Sequence, residues 1–160
     1  MRSSEKHISL ILEAIQQRPF TKLPEAYRLF NGFYEGLPGL VFDRYGSSLV
    51  AFEHGEPGEH HEVIQAISHW SLENCPGLSA VLVKQRLSTD ERLRNGILIA
   101  GNSLPTSICE FCVQFAIDLQ MNQDASFYLD TRGLRRWLAE NMAGKRVLNT
   151  FAYTGSLGVA

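Results

Sequence analysis

The feature that most constrains the fold is a pair of short strand-like runs joined by one glycine. Leu40–Tyr45 and Ser48–Glu53 are dominated by aliphatic and aromatic residues, which favour strands. Gly46 permits a sharp reversal of the chain, so the two runs predict neighbouring strands. Upstream, Asn31-Gly32 and Gly36-Leu-Pro-Gly39 are predicted as turns, because asparagine and glycine tolerate positive φ.

The next segment predicts a helix and two more strands. Apolar residues recur at helical spacing over residues 63–70, and Cys75-Pro-Gly77 ends the helix. Residues 78–87 and 96–100 are again strand-like. The order strand, strand, helix, strand, strand predicts a small α+β domain over residues 24–112.

An amphipathic helix is predicted in front of this domain. Apolar residues occupy the i, i+3, i+4 and i+7 positions from Ile8 to Ile15, within a helix over His7–Gln17. Arg18-Pro19 ends the run. We assign residues 1–23 to this helix and a linker.

Composition excludes several classes of protein. The 160 residues, 44% of them hydrophobic, are enough to bury a core without disulfides or a structural metal. No apolar run could span a bilayer, and the N-terminus lacks the apolar stretch of a signal peptide. Three cysteines, a sparse and odd number, favour a reducing compartment, so we expect a cytoplasmic protein. The formal net charge of −2 permits a nucleic-acid partner without demanding one.

The pattern changes from residue 113 onward. Apolar and polar residues alternate from Val113 to Leu119, as in a strand with one buried face. A helix is predicted next, with Asp130 or Thr131 as its cap and Gly144 at its end. Its apolar stripe consists of Leu134, Trp137, Leu138 and Met142.

The strongest local signal is Val147-Leu-Asn-Thr-Phe-Ala-Tyr-Thr-Gly-Ser-Leu-Gly158. A predicted strand over 146–151 leads into a glycine-bearing turn and a helix start, as at the entry of a β-α-β unit. Gly155 lets a ligand approach the backbone, and free N–H groups at the helix start favour a polar or anionic ligand. The spacing alone fits either nucleotide-type binding or a glycine used for packing.

Three motifs, in order along the chain, resemble one protein family. Asn149–Gly158 is similar to the first S-adenosylmethionine-binding motif of the class I methyltransferases that modify large-subunit ribosomal RNA at cytosine C5 or guanine N7. Phe127-Tyr-Leu-Asp-Thr-Arg132 resembles the family's aromatic-Leu-Asp-x-Arg element, and residues 31–44 resemble the signature of its small α+β domain. The resemblance implies that residues 113–160 are the truncated start of a Rossmann-like α/β methyltransferase domain.

The resemblance also implies the residues of a cofactor site. The methionine and ribose parts of S-adenosylmethionine would lie over the turn that ends at Gly155. Asp130 would bond backbone N–H groups of its own helix, and Arg132 would meet the cofactor carboxylate. On local sequence alone, a helix cap and a solvated charge fit these two residues equally well. The implied cofactor-binding residues are Phe127, Asp130, Arg132, Asn149, Phe151, Ala152, Tyr153 and Gly155.

The same resemblance makes ribosomal RNA the expected partner. Lys84 and Arg86 share one face of a predicted strand, where they would form a small positive stripe for phosphates. The alternative is an exposed polar face on an antiparallel strand. Many family members carry Lys-Thr-Gly before the aromatic-Leu-Asp element, whereas this chain has Asp124-Ala-Ser126.

Two further clusters are interpreted as structural. Cys109 and Cys112 are three residues apart, a spacing that on a strand would point the thiols to opposite faces. We therefore expect buried or half-buried thiols and neither a redox pair nor a zinc site. His54, His60 and His61 lie among four glutamates without metal-ligand spacing, which predicts a solvated acidic loop.

The motifs that carry the family's chemistry would all follow Ala160, so we assign no catalytic residue and no metal. We expect part of an RNA methyltransferase, with no turnover by the 160-residue chain alone. The alternative is a non-enzymatic RNA-binding or assembly module. A nicotinamide enzyme is disfavoured because the turn lacks the three-glycine fingerprint. A half-built sheet would expose a strand edge, so we also expect self-association into a homo-oligomer.

Overall fold

The computed structural model describes residues 3–18, 25–150 and 153–159. Five strands form a mixed sheet in the order β1-β2-β3-β4-β5, and two more form a separate hairpin, β6–β7. The elements are α1 (Ser3–Gln16), β1 (Ala26–Asn31), α2 (Gly32–Glu35), β2 (Leu40–Tyr45), β3 (Ser48–Glu53), α3 (His61–Asn74), β4 (Ala80–Gln85), α4 (Glu91–Asn95), β5 (Ile97–Ala100), β6 (Ser107–Glu110), β7 (Val113–Ala116), α5 (Arg132–Asn141) and α6 (Ser156–Val159).

The predicted order strand, strand, helix, strand, strand is confirmed as β2, β3, α3, β4 and β5. β2 and β3 form an antiparallel hairpin in which Tyr45 is opposite Ser48, and Gly46 has φ +55°. β3 and β4 run parallel, so they need a crossover, and α3 provides it. β1 adds a fifth strand, antiparallel to β2.

The sheet is covered on both faces. Leu49 and Ala51 of β3 face a core that includes residues of α1 and α3. Val50 and Phe52 face a second core, to which β6, β7 and residues 117–127 contribute. All six residues of β3 are buried, which explains why this strand reads as a nearly continuous apolar run.

The amphipathic helix predicted near the N-terminus is confirmed as α1. Ile11 and Ile15 are fully buried in the first core, and Ile8 and Leu12 pack against it. The predicted face therefore attaches α1 to the sheet.

The alternating run from Val113 forms a shorter strand than predicted. β7 ends at Ala116, but burial continues to alternate through Phe115, Ile117 and Leu119. β7 pairs antiparallel with β6, so this hairpin spans the predicted boundary between residues 112 and 113. Its apolar face covers the five-stranded sheet.

The turn predicted at Asn31-Gly32 is wrong in its geometry. Asn31 ends β1 with φ −125°, and Gly32 begins the one-turn helix α2. Glycine is needed there because a Cβ would overlap the backbone carbonyl of Leu37, not because φ is positive. The turn at 36–39 is confirmed, with positive φ at Gly36 and Gly39.

The strand predicted over 146–151 is not found in its described part, residues 146–150. A strand needs a hydrogen-bonded neighbour, and no described strand lies beside this segment, so Leu148 is largely exposed. The predicted helix is present as α5, but Leu134 and Trp137 of its apolar stripe are exposed. In the described part of the chain, no helix is both long and apolar enough to cross a bilayer.

Candidate functional site

A cleft of about 490 Å³ lies on the sheet face that belongs to the second core. One wall comes from Phe33 and Tyr34 of α2, the floor includes Asp43 and Tyr45 of β2, and the opposite wall is the segment 124–130. Two of the three motif regions singled out in the sequence, 31–44 and 127–132, therefore both line this cleft.

An ion pair forms part of the cleft floor. Arg28 and Asp43 are opposite each other in the β1–β2 register, and the guanidinium binds the carboxylate through both oxygens, with Nε–Oδ1 2.8 Å and Nη2–Oδ2 3.0 Å. Asp43 is buried, and this burial raises the pKa of its carboxyl despite the arginine. The hydrogen bond to Asp43 raises the pKa of Arg28. The pair leaves this part of the floor polar with little net charge.

Tyr45 connects the sheet to the opposite wall. Its buried hydroxyl donates a hydrogen bond to the backbone carbonyl of Phe127 over 3.0 Å. Burial raises the pKa of Tyr45 well above its usual value, so the phenol stays neutral and keeps the proton that it donates. Phe127 is buried against Phe115, with ring centroids 5.1 Å apart. The side chain of Phe127 thus braces the wall from within the core.

The expected contact of Lys84 with RNA phosphates is wrong, because its side chain is fully buried. The Nζ atom donates to the backbone carbonyls of Asn122 (2.8 Å) and Asp124. Burial lowers the pKa of Lys84 to about 8. Lys84 therefore holds the 122–124 segment against the sheet. The two carbonyls that it binds lie 38 and 40 residues further along the chain.

Arg86 lies just beyond β4 and remains partly exposed at the cleft. Its Nη1 is 3.1 Å from Oδ1 of Asp124, and its guanidinium lies 6.0 Å from the Phe52 ring centroid. Asp124 occupies the position where many family members carry a lysine. This carboxylate balances the charge of Arg86, so the predicted positive stripe is absent.

Arg135 was missed by the sequence analysis. It is fully buried, and it binds both carboxylate oxygens of Glu110, with Nε–Oε1 2.7 Å and Nη2–Oε2 3.1 Å. Its Nη1 donates to the Tyr128 carbonyl, 2.8 Å away, and its guanidinium lies 4.1 Å from the Phe127 ring centroid. A usable signal was that Glu110 shares a strand face with buried Ile108 and therefore requires a cation.

The two charged residues of the aromatic-Leu-Asp-x-Arg element have different surroundings. Arg132 Nε is 3.6 Å from Oε2 of Glu110, and its guanidinium lies 4.9 Å from the Phe111 ring centroid. Asp130 is exposed and lines the cleft. Its expected bonds to helix N–H groups are not formed among the described residues, since Thr131 flanks α5 and no side chain caps it. The Thr131 hydroxyl donates to the Tyr128 carbonyl instead.

The predicted glycine turn and helix start are present, and they adjoin the wall of the cleft. Tyr153 and Gly155 have φ +44° and +84°, and α6 follows. The Thr154 hydroxyl donates to the Ser126 carbonyl over 2.5 Å, and the Tyr153 ring lies 4.9 Å from that of Tyr128. Burial and the Asp124 charge raise the pKa of Tyr153. The Thr154 and Tyr153 contacts join the third motif region to the wall formed by residues 124–130.

The remaining predicted cofactor residues have less defined surroundings. Asn149 is half-buried, and the segment around it forms no regular structure. Phe151 and Ala152 lie outside the described residues. A Cβ on Gly155 would meet no described atom within 4 Å, so the space next to the turn is free.

The histidine and glutamate loop is less solvated than predicted. Glu53 is fully buried and accepts hydrogen bonds from the backbone N–H groups of Gly58 and His60, both over 2.8 Å. His60 is also buried. The residues that the structure describes contain no group of three potential metal ligands.

The two hairpin cysteines differ in exposure. Cys109 is half-buried, as expected, whereas Cys112 is exposed, which corrects the prediction. Cys112 lies in the β6–β7 turn with φ +65°, so the alternation of a strand does not apply to it.

Comparison with known proteins identifies the family. A sequence profile described as S-adenosylmethionine-dependent methyltransferase matches residues 49–160, which include most of the sheet, the cleft wall and the glycine turn. The chain belongs to this family. The cofactor-dependent methyltransferase assignment therefore rests on a match over most of the chain.

Individual relatives agree with this assignment. "Ribosomal RNA large subunit methyltransferase I" of Yersinia pseudotuberculosis is 34% identical over 138 residues, covering 84% of this chain and 34% of the relative. The protein of the same name from Erwinia tasmaniensis is 29% identical over 141 residues, covering 85% of this chain and 35% of the relative. The 160-residue chain thus spans about a third of the length of these curated relatives.

Two solved structures share the fold. One, assigned as a SAM-dependent methyltransferase from Streptococcus mutans, superposes with a TM-score of 0.79 at 24% identity, covering 99% of this chain and 42% of the other. Another methyltransferase structure, in complex with SAH, gives a TM-score of 0.79 at 23% identity, covering 99% and 41%. At these identities the likeness establishes the mixed α/β fold and nothing finer.

Proposed function

We propose that this chain is part of an S-adenosylmethionine-dependent enzyme that methylates large-subunit ribosomal RNA. The observation that carries the proposal is that motif regions 31–44 and 127–132 line one cleft and that the turn at 153–155 contacts its wall at Ser126 and Tyr128. The family match and the names of the curated relatives support it. In this proposal, residues 24–112 form the small α+β domain, and residues 113–160 begin a Rossmann-like methyltransferase domain.

The cofactor supplies a methyl group activated on a sulfonium ion. In the proposed site, Asn149, Phe151, Ala152, Tyr153 and Gly155 hold it from the turn. The space beside Gly155 is open among the described residues, so a ligand could approach the backbone closely there. The hydrogen bond from Thr154 to Ser126 holds this turn in position.

Three residues of the aromatic-Leu-Asp-x-Arg element complete the proposed site. Phe127 acts indirectly, by holding the Tyr128 segment against the core. Asp130, which makes no hydrogen bond or ion pair within the described part of the chain, is available to a ligand. Arg132 would exchange its longer contact with Glu110 for a cofactor carboxylate, because Arg135 already neutralises Glu110.

The target atom is cytosine C5 or guanine N7. A C5 reaction requires a thiolate that adds to the ring, whereas N7 attacks the methyl group directly. Cys75 is buried in the first core, and none of the three cysteines lines the cleft. A C5 enzyme would therefore take its nucleophile from outside these 160 residues. The work of this chain is to bind and orient the cofactor and base and to keep water away from them.

Calorimetry of the intact gene product with S-adenosylmethionine tests the proposal. We expect measurable binding, competition by S-adenosylhomocysteine, and a strong loss in Tyr153→Ala. Leu87→Ala, at an exposed site that does not line the cleft, is the matched control and should bind normally. Absence of binding heat and of competition by the wild type would overturn the proposal. RNA binding without cofactor binding would favour the alternative, a non-enzymatic RNA-binding module.

Self-association is also part of the proposal. β5 is an edge of the five-stranded sheet, and its outward residues Ile97 and Ile99 are exposed. An unpaired apolar edge is a surface for pairing with a second copy. Sedimentation velocity of the 160-residue chain should show a dimer or larger species, and a clean monomer at high concentration would contradict this.

A further inference from the structure

The rim of the cleft carries an unusual density of exposed aromatic rings. Tyr34 is 89% exposed, Phe33 53%, Tyr153 46% and Tyr128 42%. Phe33, Tyr34 and Tyr128 line the cleft, and the Tyr153 ring lies outside the lining, 4.9 Å from the Tyr128 ring and tilted by 35°. Aromatic rings at the mouth of a cleft of about 490 Å³, a typical volume for a small-ligand site, indicate a planar ligand.

The backbone of α2 and the Phe33 ring are held in place although the helix has only four residues. Glu35 accepts a hydrogen bond from the Asn31 N–H over 2.6 Å, and its carboxylate also pairs with Arg18, 3.0 Å away. The Phe33 ring makes an edge contact with His54, with centroids 5.2 Å apart and planes at 81°. A surface that is already ordered loses little entropy when a ligand stacks on it.

The charges of the cleft favour a base over a phosphate. Both arginines that line it, Arg28 and Arg86, are paired with carboxylates, Asp43 and Asp124. Burial, together with the two arginines, lowers the pKa of His54, so this imidazole is neutral at pH 7. The cleft therefore offers stacking faces and hydrogen-bonding edges with little net positive charge, which suits a nucleobase more than a phosphodiester backbone.

We propose that this cleft binds one unpaired RNA base, held in contact with the aromatic side chains of Phe33, Tyr34 and Tyr128, next to the Tyr153 turn. The inference rests on the proposed function and adds to it the aromatic side chains that receive the target base. A base inside a duplex could not enter, since its faces are covered by its neighbours, so single-stranded or extruded nucleotides are the expected ligands. The position beside Tyr153 places the bound base next to the proposed cofactor site.

The test measures fluorescence anisotropy of a short labelled RNA on the intact gene product, using an unpaired strand and a duplex of the same sequence. We expect tighter binding of the unpaired strand. Phe33→Ala and Tyr34→Ala should each weaken it by about 5- to 150-fold, the range for loss of one base-stacking ring. Tyr34→Phe keeps the ring and should restore the affinity, and Leu87→Ala should match the wild type.

A second readout separates this inference from the proposed function. Because Tyr34 is 89% exposed and makes no ring contact with Tyr153 in the described part of the chain, Tyr34→Ala should leave S-adenosylmethionine binding unchanged by calorimetry. If the wild type binds unpaired RNA through these rings but no cofactor, the proposed function fails and the base site stands. If cofactor binds normally but the alanine variants keep wild-type RNA affinity, or duplex binds as well as single strand, the base site is overturned. No RNA binding at all would also overturn it and would direct attention to a protein partner for these rings.

Discussion

Replacement of Arg135 by alanine is expected to cost this protein more stability than any other single charge removal at the cleft wall. Arg135 and Glu110 are both buried, and two charge-assisted hydrogen bonds of 2.7 and 3.1 Å join them. The variant leaves the Glu110 carboxylate buried without its main partner. It also removes the donor to the Tyr128 carbonyl and the cation beside the Phe127 ring.

The magnitude follows from this geometry. Removal of one partner of a buried ion pair costs about 3–5 kcal/mol. Arg132 can partly neutralise the Glu110 carboxylate, because its Nε is 3.6 Å away and its side chain is partly exposed. We therefore expect a loss at the lower end of this range, about 3 kcal/mol. For a chain of this size, that loss lowers the melting temperature by about 6–12 °C.

Urea unfolding of the 160-residue chain, followed by far-ultraviolet circular dichroism, measures the loss. Arg136→Ala is the matched control, because Arg136 is the adjacent arginine and is exposed. It makes a surface ion pair with Glu140, and its guanidinium lies 5.9 Å from the ring centroid of exposed Phe111, so the variant should leave the unfolding midpoint nearly unchanged. The double variant Glu110→Leu/Arg135→Met removes both charges and should regain most of the stability. A loss below about 1 kcal/mol for Arg135→Ala would refute the reasoning that the buried pair holds the wall in place.

Three further predictions concern the sheet, its turn and its attachments. The pKa of Lys84 is about 8 in the folded protein and about 10.5 in the unfolded chain. Between these pH values the unfolded chain binds more protons, so the free energy of unfolding should rise with pH. Lys84→Met should remove this rise in urea titrations across that pH range. Gly32→Ala should destabilise the protein by about 1–3 kcal/mol, because the new Cβ would overlap a backbone carbonyl. Gly133→Ala, which has open space around it in α5, should stabilise the protein by about 1 kcal/mol. Thermal melts of the two variants compare these effects. Tyr45→Phe removes a buried hydrogen bond to Phe127 and should cost about 1–3 kcal/mol by urea unfolding, and an unchanged midpoint would contradict the attachment.

Regular elements were predictable where periodicity reflects burial. The stripe of α1, the hairpin around Gly46 and the alternation from Val113 to Leu119 all depend on residues that are near each other in the chain. Each of these patterns was found in the structure, although β7 ended at Ala116. The strand predicted over 146–151 failed for a related reason, since an apolar run becomes a strand only beside a partner.

Several features of the candidate site were not predictable from local patterns. Lys84 has the alternation of an exposed stripe, but carbonyls 38 and 40 residues away cover it. Glu110 and Arg135 are separated by 25 residues, and nothing local indicates that one basic residue in the run 132–136 is buried. The contact of Tyr153 with Tyr128 likewise depends on the placement of two distant segments.

The amino-acid sequence by itself determined the order of the elements, the amphipathic faces and the motifs that reveal the family, because each depends on short-range spacing along the chain. Only the tertiary structure decided which charges are buried, which arginines are neutralised and which aromatic rings remain exposed around the cleft. The physical reason is that desolvation and pairing are set by whatever segment packs over a side chain, and for Lys84 and Glu110 that segment comes from 25 to 40 residues away.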